Sequence, residues 1–242
     1  MPLLSIKLDL VAALRETRQL AEPDPAQTAL LAELGGADGI VVQLRRDRKH
    51  IRDRDLYLLK GICKTKLTLV IPPAEDIIER VLEVKPWMVI LVADHPDSQS
   101  PVSTIDFNAA PVDFRDISGR FNGVGIKVGF YIEPEPEQIR SVTRNEAMAI
   151  LINCLGYTGA RTTVDAQTEL DRIDKAVQNA SRSGLEVYCG NGITYKNISP
   201  LIELGNIDEF IIGHAVCARA MLVGMERSVR DMAQIIRLPV RA

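Results

Sequence analysis

Two glycine-containing segments near the carboxyl terminus have the composition of anion-binding turns. Gly190, Asn191 and Gly192 precede one predicted helix, and Gly213 and His214 precede another. Backbone N–H groups at a turn that opens a helix bind phosphate. Such glycines can also serve only as turns, but the two segments together favour a phosphorylated ligand. The basic segment 45–50 could hold a second phosphate or be a solvated loop.

A second group of residues could support carbonyl chemistry. Lys7 and Asp9 alternate with apolar residues in the first apolar segment, and Lys127 and Tyr131 do so in a later one. A period of two places each pair on one face of a strand. A lysine desolvated in a barrel can form a Schiff base with a carbonyl substrate. The alternative interpretation is that the lysines only neutralise Asp9 and Glu133.

These residues need a scaffold, and strand-like segments alternate with helical patterns along the whole chain. We predict strands at 5–10, 39–44, 67–72, 87–93, 125–133, 147–153, 186–191 and 209–215. Helical periodicity covers 25–34, 53–60, 74–84, 136–144, 164–183, 197–204 and 216–236. Eight such strands in 242 residues predict one α/β domain over 1–242, a (β/α)8 TIM barrel. A doubly wound open sheet is the alternative, although no G-x-G-x-x-G follows the first strand. The polar segment 94–111 is either the loop after strand four or an insertion without a role.

Composition excludes several classes of protein. The net charge of −3 provides no field for nucleic acid or an anionic membrane. No apolar run reaches the roughly 20 residues of a membrane span. The four cysteines lack C-x-x-C spacing, so neither a metal site nor a disulfide framework is indicated. We expect a reduced, cytoplasmic, soluble protein. Its three histidines are few for an acid–base enzyme.

Several motifs resemble those of the pyridoxine 5′-phosphate synthase family, in order and spacing over nearly the whole chain. They are LRETR from Leu14, PDP from Pro23, ADGI from Ala37, LRRDRKHI from Leu44, DRD from Asp53, GNGITY from Gly190 with Asn197, and IGHA from Ile212. The resemblance implies a TIM barrel with extra helices, an octamer built from dimers, and no metal or organic cofactor. The reaction it implies condenses 1-deoxy-D-xylulose 5-phosphate with 3-amino-2-oxopropyl phosphate and closes the pyridine ring of vitamin B6.

The positions that hold phosphate or substrate in that family are mostly kept. The resemblance assigns the amino-ketone phosphate to Arg18, Gly192, Gly213 and His214, the pentulose phosphate to Arg45 and His50, and a substrate contact to Asp9.

The positions that transfer protons in that family differ here. Gln43 and Asn191 stand where the family has histidines, Val70 stands at the strand-three glutamate, and Ile152 is assigned to the strand-six glutamate. Lys7 replaces a family asparagine. General acids and bases contribute about 10²–10⁴-fold each. We therefore predict a catalytically degenerate, homo-oligomeric member that still binds a phosphorylated small molecule or inorganic phosphate.

Three alternatives stay open. One is an enzyme with altered chemistry, in which Lys7 or Lys127 attacks a phosphorylated carbonyl compound. Another is a scaffold that binds no ligand. The last is a residual synthase that recruits His50 or His214.

Overall fold

Eight parallel strands form a closed barrel in chain order, which confirms the predicted TIM barrel. The computed structural model describes residues 1–93, 103–108 and 112–238, so most of the predicted loop at 94–111 lies outside the described residues. The strands are β1 (Leu3–Lys7), β2 (Gly39–Gln43), β3 (Lys66–Ile71), β4 (Met88–Leu91), β5 (Lys127–Ile132), β6 (Ala149–Asn153), β7 (Glu186–Gly190) and β8 (Glu209–Ile212). β1 pairs with β8, with Ile6 opposite Ile212, and this pairing closes the ring.

Helices connect the strands around the outside of the barrel. They are α1 (Asp9–Glu16), α2 (Pro25–Leu34), α3 (Asp53–Ile62), α4 (Glu75–Val84), α5 (Phe114–Asn122), α6 (Pro136–Arg144), α7 (Leu155–Thr158), α8 (Thr163–Arg182), α9 (Ser199–Glu203), α10 (His214–Val223) and α11 (Met225–Arg237). Among the described residues, no helix is both long enough and apolar enough to cross a membrane.

Several boundaries differ from the sequence-based prediction, and two of these differences have a physical reason in the structure. The first strand ends at Lys7 rather than at residue 10, because Asp9 already lies in the first turn of α1, whose Val11 and Ala12 are buried. The predicted helix at 216–236 is two helices. Gly224 separates α10 from α11 with a φ of 84°, a left-handed value that glycine adopts without a steric penalty. The prediction also missed α1, α5 and the short α7.

The strands are buried on both faces, which explains their nearly continuous apolar sequences. Outward side chains such as Ile6, Leu69 and Ile152 pack beneath the helices. Inward side chains such as Val70 and Leu151 fill the barrel. The assignment of Ile152 to the strand-six site position is therefore wrong: the inward residue of β6 at this level is Leu151, one residue earlier.

Lys127 lies at the amino-terminal end of the barrel. It begins β5, its ammonium pairs with Glu186, and its Nζ lies 4.6 Å from the centre of the Trp87 ring. Lys66 lies against the same ring at 4.4 Å and pairs with Glu209 at 3.5 Å. The prediction that Lys127 lines the pocket with Lys7 is wrong, because the two lysines occupy opposite ends of their strands.

Candidate functional site

A cavity of about 380 Å³ opens at the carboxyl ends of the strands. Its lining includes most of the residues singled out in the sequence: Lys7, Asp9, Gln43, Arg45, His50, Val70, Tyr131, Asn191, Gly192, Gly213 and His214. The volume suits a small ligand. In TIM barrels this end of the strands carries the active site.

Arg18 is not among the described residues that line this cavity. It lies in the turn after α1 and its side chain is exposed. Within one chain, Arg18 therefore lies apart from the cavity that Gly213 and His214 line, and its contact with the same phosphate stays a prediction.

Lys7 and Asp9 form an ion pair at the mouth of the barrel. Lys7 Nζ lies 3.1 Å from Asp9 Oδ2, and the backbone N–H of Gln43 donates to Asp9 Oδ1 at 2.7 Å. The carboxylate is thus tied to the end of β2, although it belongs to the first turn of α1. Asp9 Oδ2 is buried and accepts no hydrogen bond from the described residues, so it can accept one from a ligand.

The amino terminus of α10 is the first of two rim elements that present free backbone N–H groups. Gly213 and His214 follow β8 directly, and none of the described side chains caps this helix or places a carboxylate in its first turn. The free N–H groups and the positive end of the helix dipole therefore face the cavity. Gly213 passes close to β1: a Cβ there would lie 3.2 Å from the Cβ of Lys7. Lys7 and the helix terminus are consequently neighbours.

The turn after β7 is the second rim element that presents backbone N–H groups. Asn191 and Gly192 have φ values of 72° and 70°, and consecutive left-handed residues turn their N–H groups toward one side. The side chain of Asn197 stabilises the turn by accepting from Thr194 N at 2.6 Å and donating to Gly192 O at 3.0 Å. The loop is therefore pre-organised. The family resemblance includes Asn197 with the GNGITY motif, but only the structure shows its contacts with the turn.

Arg45 reaches the cavity from the end of β2 but has a partner of its own. Its guanidinium donates to both carboxylate oxygens of Asp47, at 3.0 and 2.9 Å. These hydrogen bonds lower the pKa of Asp47 to about 2, against the smaller opposing effect of burial. An anion bound at this rim would therefore compete with Asp47 for Arg45.

A buried ion pair holds the loop that carries His50. Arg15 donates to Asp55 at 2.9 and 2.6 Å and to the backbone oxygen of His50 at 2.7 Å. Both charged side chains are almost fully buried. His50 has a φ of 71°, so the contact from Arg15 fixes an unusual backbone conformation at the cavity rim. Arg15 lies in the LRETR motif, but its role depends on contacts distant in sequence.

The inner wall of the cavity is apolar or uncharged. Val70 and Leu151 provide hydrocarbon, and the Asn191 amide donates to the Tyr131 hydroxyl. Burial and the nearby Glu133 carboxylate raise the pKa of Tyr131, so its phenol stays protonated at neutral pH. The Gln43 and Asn191 side chains do not titrate near neutrality. The site can hold an anion at its rim, while its wall offers few groups for proton transfer.

Comparisons with known proteins show which proteins this chain is similar to. A family model described as "Pyridoxal phosphate biosynthesis protein PdxJ" matches residues 4–238. The chain is 39% identical to pyridoxine 5′-phosphate synthase of Synechococcus sp. (strain JA-2-3B'a(2-13)), over 97% of this chain and 98% of the relative. It is 38% identical to the enzyme of the same name from Pelobacter propionicus, with the same coverage. The solved structure of phosphoribosylanthranilate isomerase from Thermotoga maritima, 13% identical, covers 98% of this chain and 99% of its own with a TM-score of 0.60. That likeness concerns the fold alone.

Proposed function

Because the chain belongs to the pyridoxine 5′-phosphate synthase family, we propose that it binds a phosphorylated small molecule in the barrel mouth but no longer closes the pyridine ring. One observation carries this proposal. The phosphate-binding elements and the altered wall positions Gln43, Val70 and Asn191 line the same cavity. Binding groups are retained around a centre whose proton-transfer groups are replaced.

The size of the expected catalytic loss supports the second half of the proposal. Ring closure involves Schiff-base formation, two dehydrations and a deprotonation, and each of these needs a positioned acid or base. Three replaced groups at about 10²–10⁴-fold each would remove useful turnover. His50 and His214 lie at the rim with the phosphate-binding groups. A residual synthase would need one of them to serve in both roles.

Independent structural elements at the rim of the cavity support the proposed binding of a phosphorylated molecule. The α10 terminus, the Asn191–Gly192 turn and Arg45 converge on one cavity. The first two use backbone N–H groups, so their geometry survives side-chain divergence. We assign the phosphate group of the ligand to the α10 terminus and this turn, with Arg45 as a second cationic contact.

We also propose that the chain forms a homo-oligomer. Large apolar side chains are exposed on α1, α2 and α10, namely Leu14, Leu31, Leu34, Met221 and Leu222. Leu222 is 84% exposed. Apolar side chains concentrated on a few helices are typical of surfaces that bury against another chain.

A binding assay and a turnover assay test the two halves separately. Thermal shift with inorganic phosphate, sugar phosphates and B6 vitamers should give stabilisation, because a ligand at 100 times its dissociation constant adds about 2.7 kcal/mol. Arg45→Met should reduce that shift. Arg120→Met is the matched control, since Arg120 pairs with Glu75 and does not line the cavity.

The two substrates of the family reaction should yield no pyridoxine 5′-phosphate above a no-protein blank. Product at an ordinary enzymatic rate would overturn the catalytic half. Absence of any shift across the panel would overturn the binding half and favour a scaffold.

A further inference from the structure

We propose that Lys7 captures the carbonyl carbon of a phosphorylated aldehyde or ketone as a protonated imine. The inference rests on the proposed function, because the phosphate of that ligand must first be held by the same cavity. It goes further by assigning a covalent step to a residue that differs from the family pattern. The structure selects Lys7 over Lys127, which lies at the opposite end of the barrel.

The position of Lys7 carries the proposal. Its side chain is 20% exposed, lines the cavity, and lies beside Gly213 at the amino terminus of α10. A ligand whose phosphate occupies that terminus places its carbon chain next to Lys7. A lysine at this position is close to the carbonyl carbon of a small molecule whose phosphate the helix terminus holds.

The walls near Lys7 favour a persistent imine. Val70, Leu151 and Ile211 are buried inward residues of β3, β6 and β8, and all three line the cavity. A hydrocarbon wall limits the water that would hydrolyse a C=N bond. Lysines that form Schiff bases in enzymes occupy desolvated surroundings of this kind.

Asp9 supplies the proton acceptor for the step. Its Oδ2 lies 3.1 Å from Lys7 Nζ and is otherwise without a hydrogen bond among the described residues. Asp9 takes one proton from the Lys7 ammonium, and the neutral Nζ then adds to the carbonyl carbon. One further Nζ proton moves to the former carbonyl oxygen. The proton on Asp9 then joins that oxygen, and water leaves. The product is a protonated imine paired with the Asp9 carboxylate, so atoms and charge balance without a further reactant.

Borohydride trapping with glyceraldehyde 3-phosphate tests the step. Reduction should leave a stable mass increment on the peptide that contains Lys7, mapped by mass spectrometry after proteolysis. Glyceraldehyde, which lacks the phosphate, should label Lys7 much less at equal concentration. Excess inorganic phosphate should suppress the labelling by glyceraldehyde 3-phosphate.

Two variants distinguish a loss of imine formation from a loss of phosphate binding. Lys7→Arg keeps the charge opposite Asp9 but cannot form an imine, so it should lose the increment and still show a thermal shift with inorganic phosphate. Lys127→Arg is the matched control, because the same change at the other end of the barrel should leave labelling of Lys7 intact. Melting curves of both variants without ligand report whether they fold.

The outcomes distinguish this inference from the proposed function. If phosphate stabilises the protein while Lys7 is labelled no more than exposed Lys49, the imine is excluded and the binding function stands. If phosphate stabilises neither the wild type nor Lys7→Arg, the proposed function fails and the inference fails with it. Phosphate-dependent labelling confined to Lys7 supports both.

Discussion

The side-chain amide of Asn191 donates a hydrogen bond to the hydroxyl of Tyr131 across the mouth of the barrel. It joins the turn after β7 to the inward face of β5. Asn191 occupies the position where the family resemblance places a proton-transferring histidine. Tyr131 is only 1% exposed. The pair therefore closes part of the cavity wall by a neutral hydrogen bond.

Removing the Asn191 amide should destabilise the protein in a way that depends on the replacement. Asn191→Gly keeps the left-handed backbone and loses only the hydrogen bond, at a cost of about 1 kcal/mol. Asn191→Ala should cost roughly 1–2 kcal/mol more, because alanine at a φ of 72° is strained. Free energies of unfolding in urea measure both. Equal values for the two variants would show that the backbone conformation is unimportant. Tyr131→Phe should cause little further loss in the free energy of unfolding when Asn191→Gly is already present, because both substitutions remove the same hydrogen bond.

Asp47 should weaken phosphate binding by occupying Arg45. Asp47→Asn leaves the loop volume nearly unchanged but removes the competing carboxylate. We expect tighter binding of inorganic phosphate, by up to about fivefold, because an ion pair as exposed as Arg45–Asp47 contributes about 0.2–1 kcal/mol. Isothermal titration calorimetry measures the dissociation constant. Asp76→Asn is a suitable comparison, because Asp76 pairs with Arg48 instead. Weaker binding in Asp47→Asn would mean that Asp47 positions Arg45 for the ligand.

Gly192 should tolerate no side chain while Thr158 is present. A Cβ at Gly192 would lie 2.7 Å from the Thr158 Cβ, and its φ of 70° disfavours other residues. Gly192→Ala should therefore weaken phosphate binding and lower the melting temperature. Adding Thr158→Gly removes the clash and should restore part of both losses, leaving the backbone strain of about 1–2 kcal/mol. Thr158→Gly alone is the control. A double variant no better than Gly192→Ala would exclude steric contact as the cause.

Glu209 should make stability fall as pH rises from mildly acidic values. Burial raises its pKa despite the hydrogen bond from Ser5 and the charge of Lys66. The folded state therefore holds a proton on Glu209 at pH values where the unfolded state, with a pKa near 4.3, has lost it. The contribution of Glu209 to the free energy of unfolding therefore declines as pH rises from the unfolded pKa to the folded pKa. Above the folded pKa this contribution no longer changes.

The matched variant Glu209→Gln should lack this decline. The difference in unfolding free energy between wild type and variant, measured in urea from about pH 4 upward, isolates the effect. The wild type should lose stability relative to the variant as pH rises. A difference that does not change with pH would show that Glu209 has an unshifted pKa.

The local sequence pattern was sufficient to predict the barrel architecture. Strands that are buried on both faces have short, nearly continuous apolar sequences. The alternation of such strands with helices predicts a parallel barrel. The same reading placed Asn191, Gly192, Gly213 and His214 at one end, because in such a barrel all loops after strands meet at the carboxyl ends. Motif spacing supplied the family, and the comparisons confirmed it.

Only the tertiary structure shows at which end of a strand, and on which of its faces, a given side chain lies. Lys7 and Lys127 both alternate with apolar residues, but alternation gives the face of a strand and not its end: Lys7 ends β1 while Lys127 begins β5. A shift of one residue exchanges Ile152 for Leu151, since neighbouring side chains point to opposite faces. The buried pair of Arg15 and Asp55 joins residues 40 positions apart. Sequence thus determined which residue types reach the barrel mouth, whereas strand register and long-range packing decided which of them share the cavity.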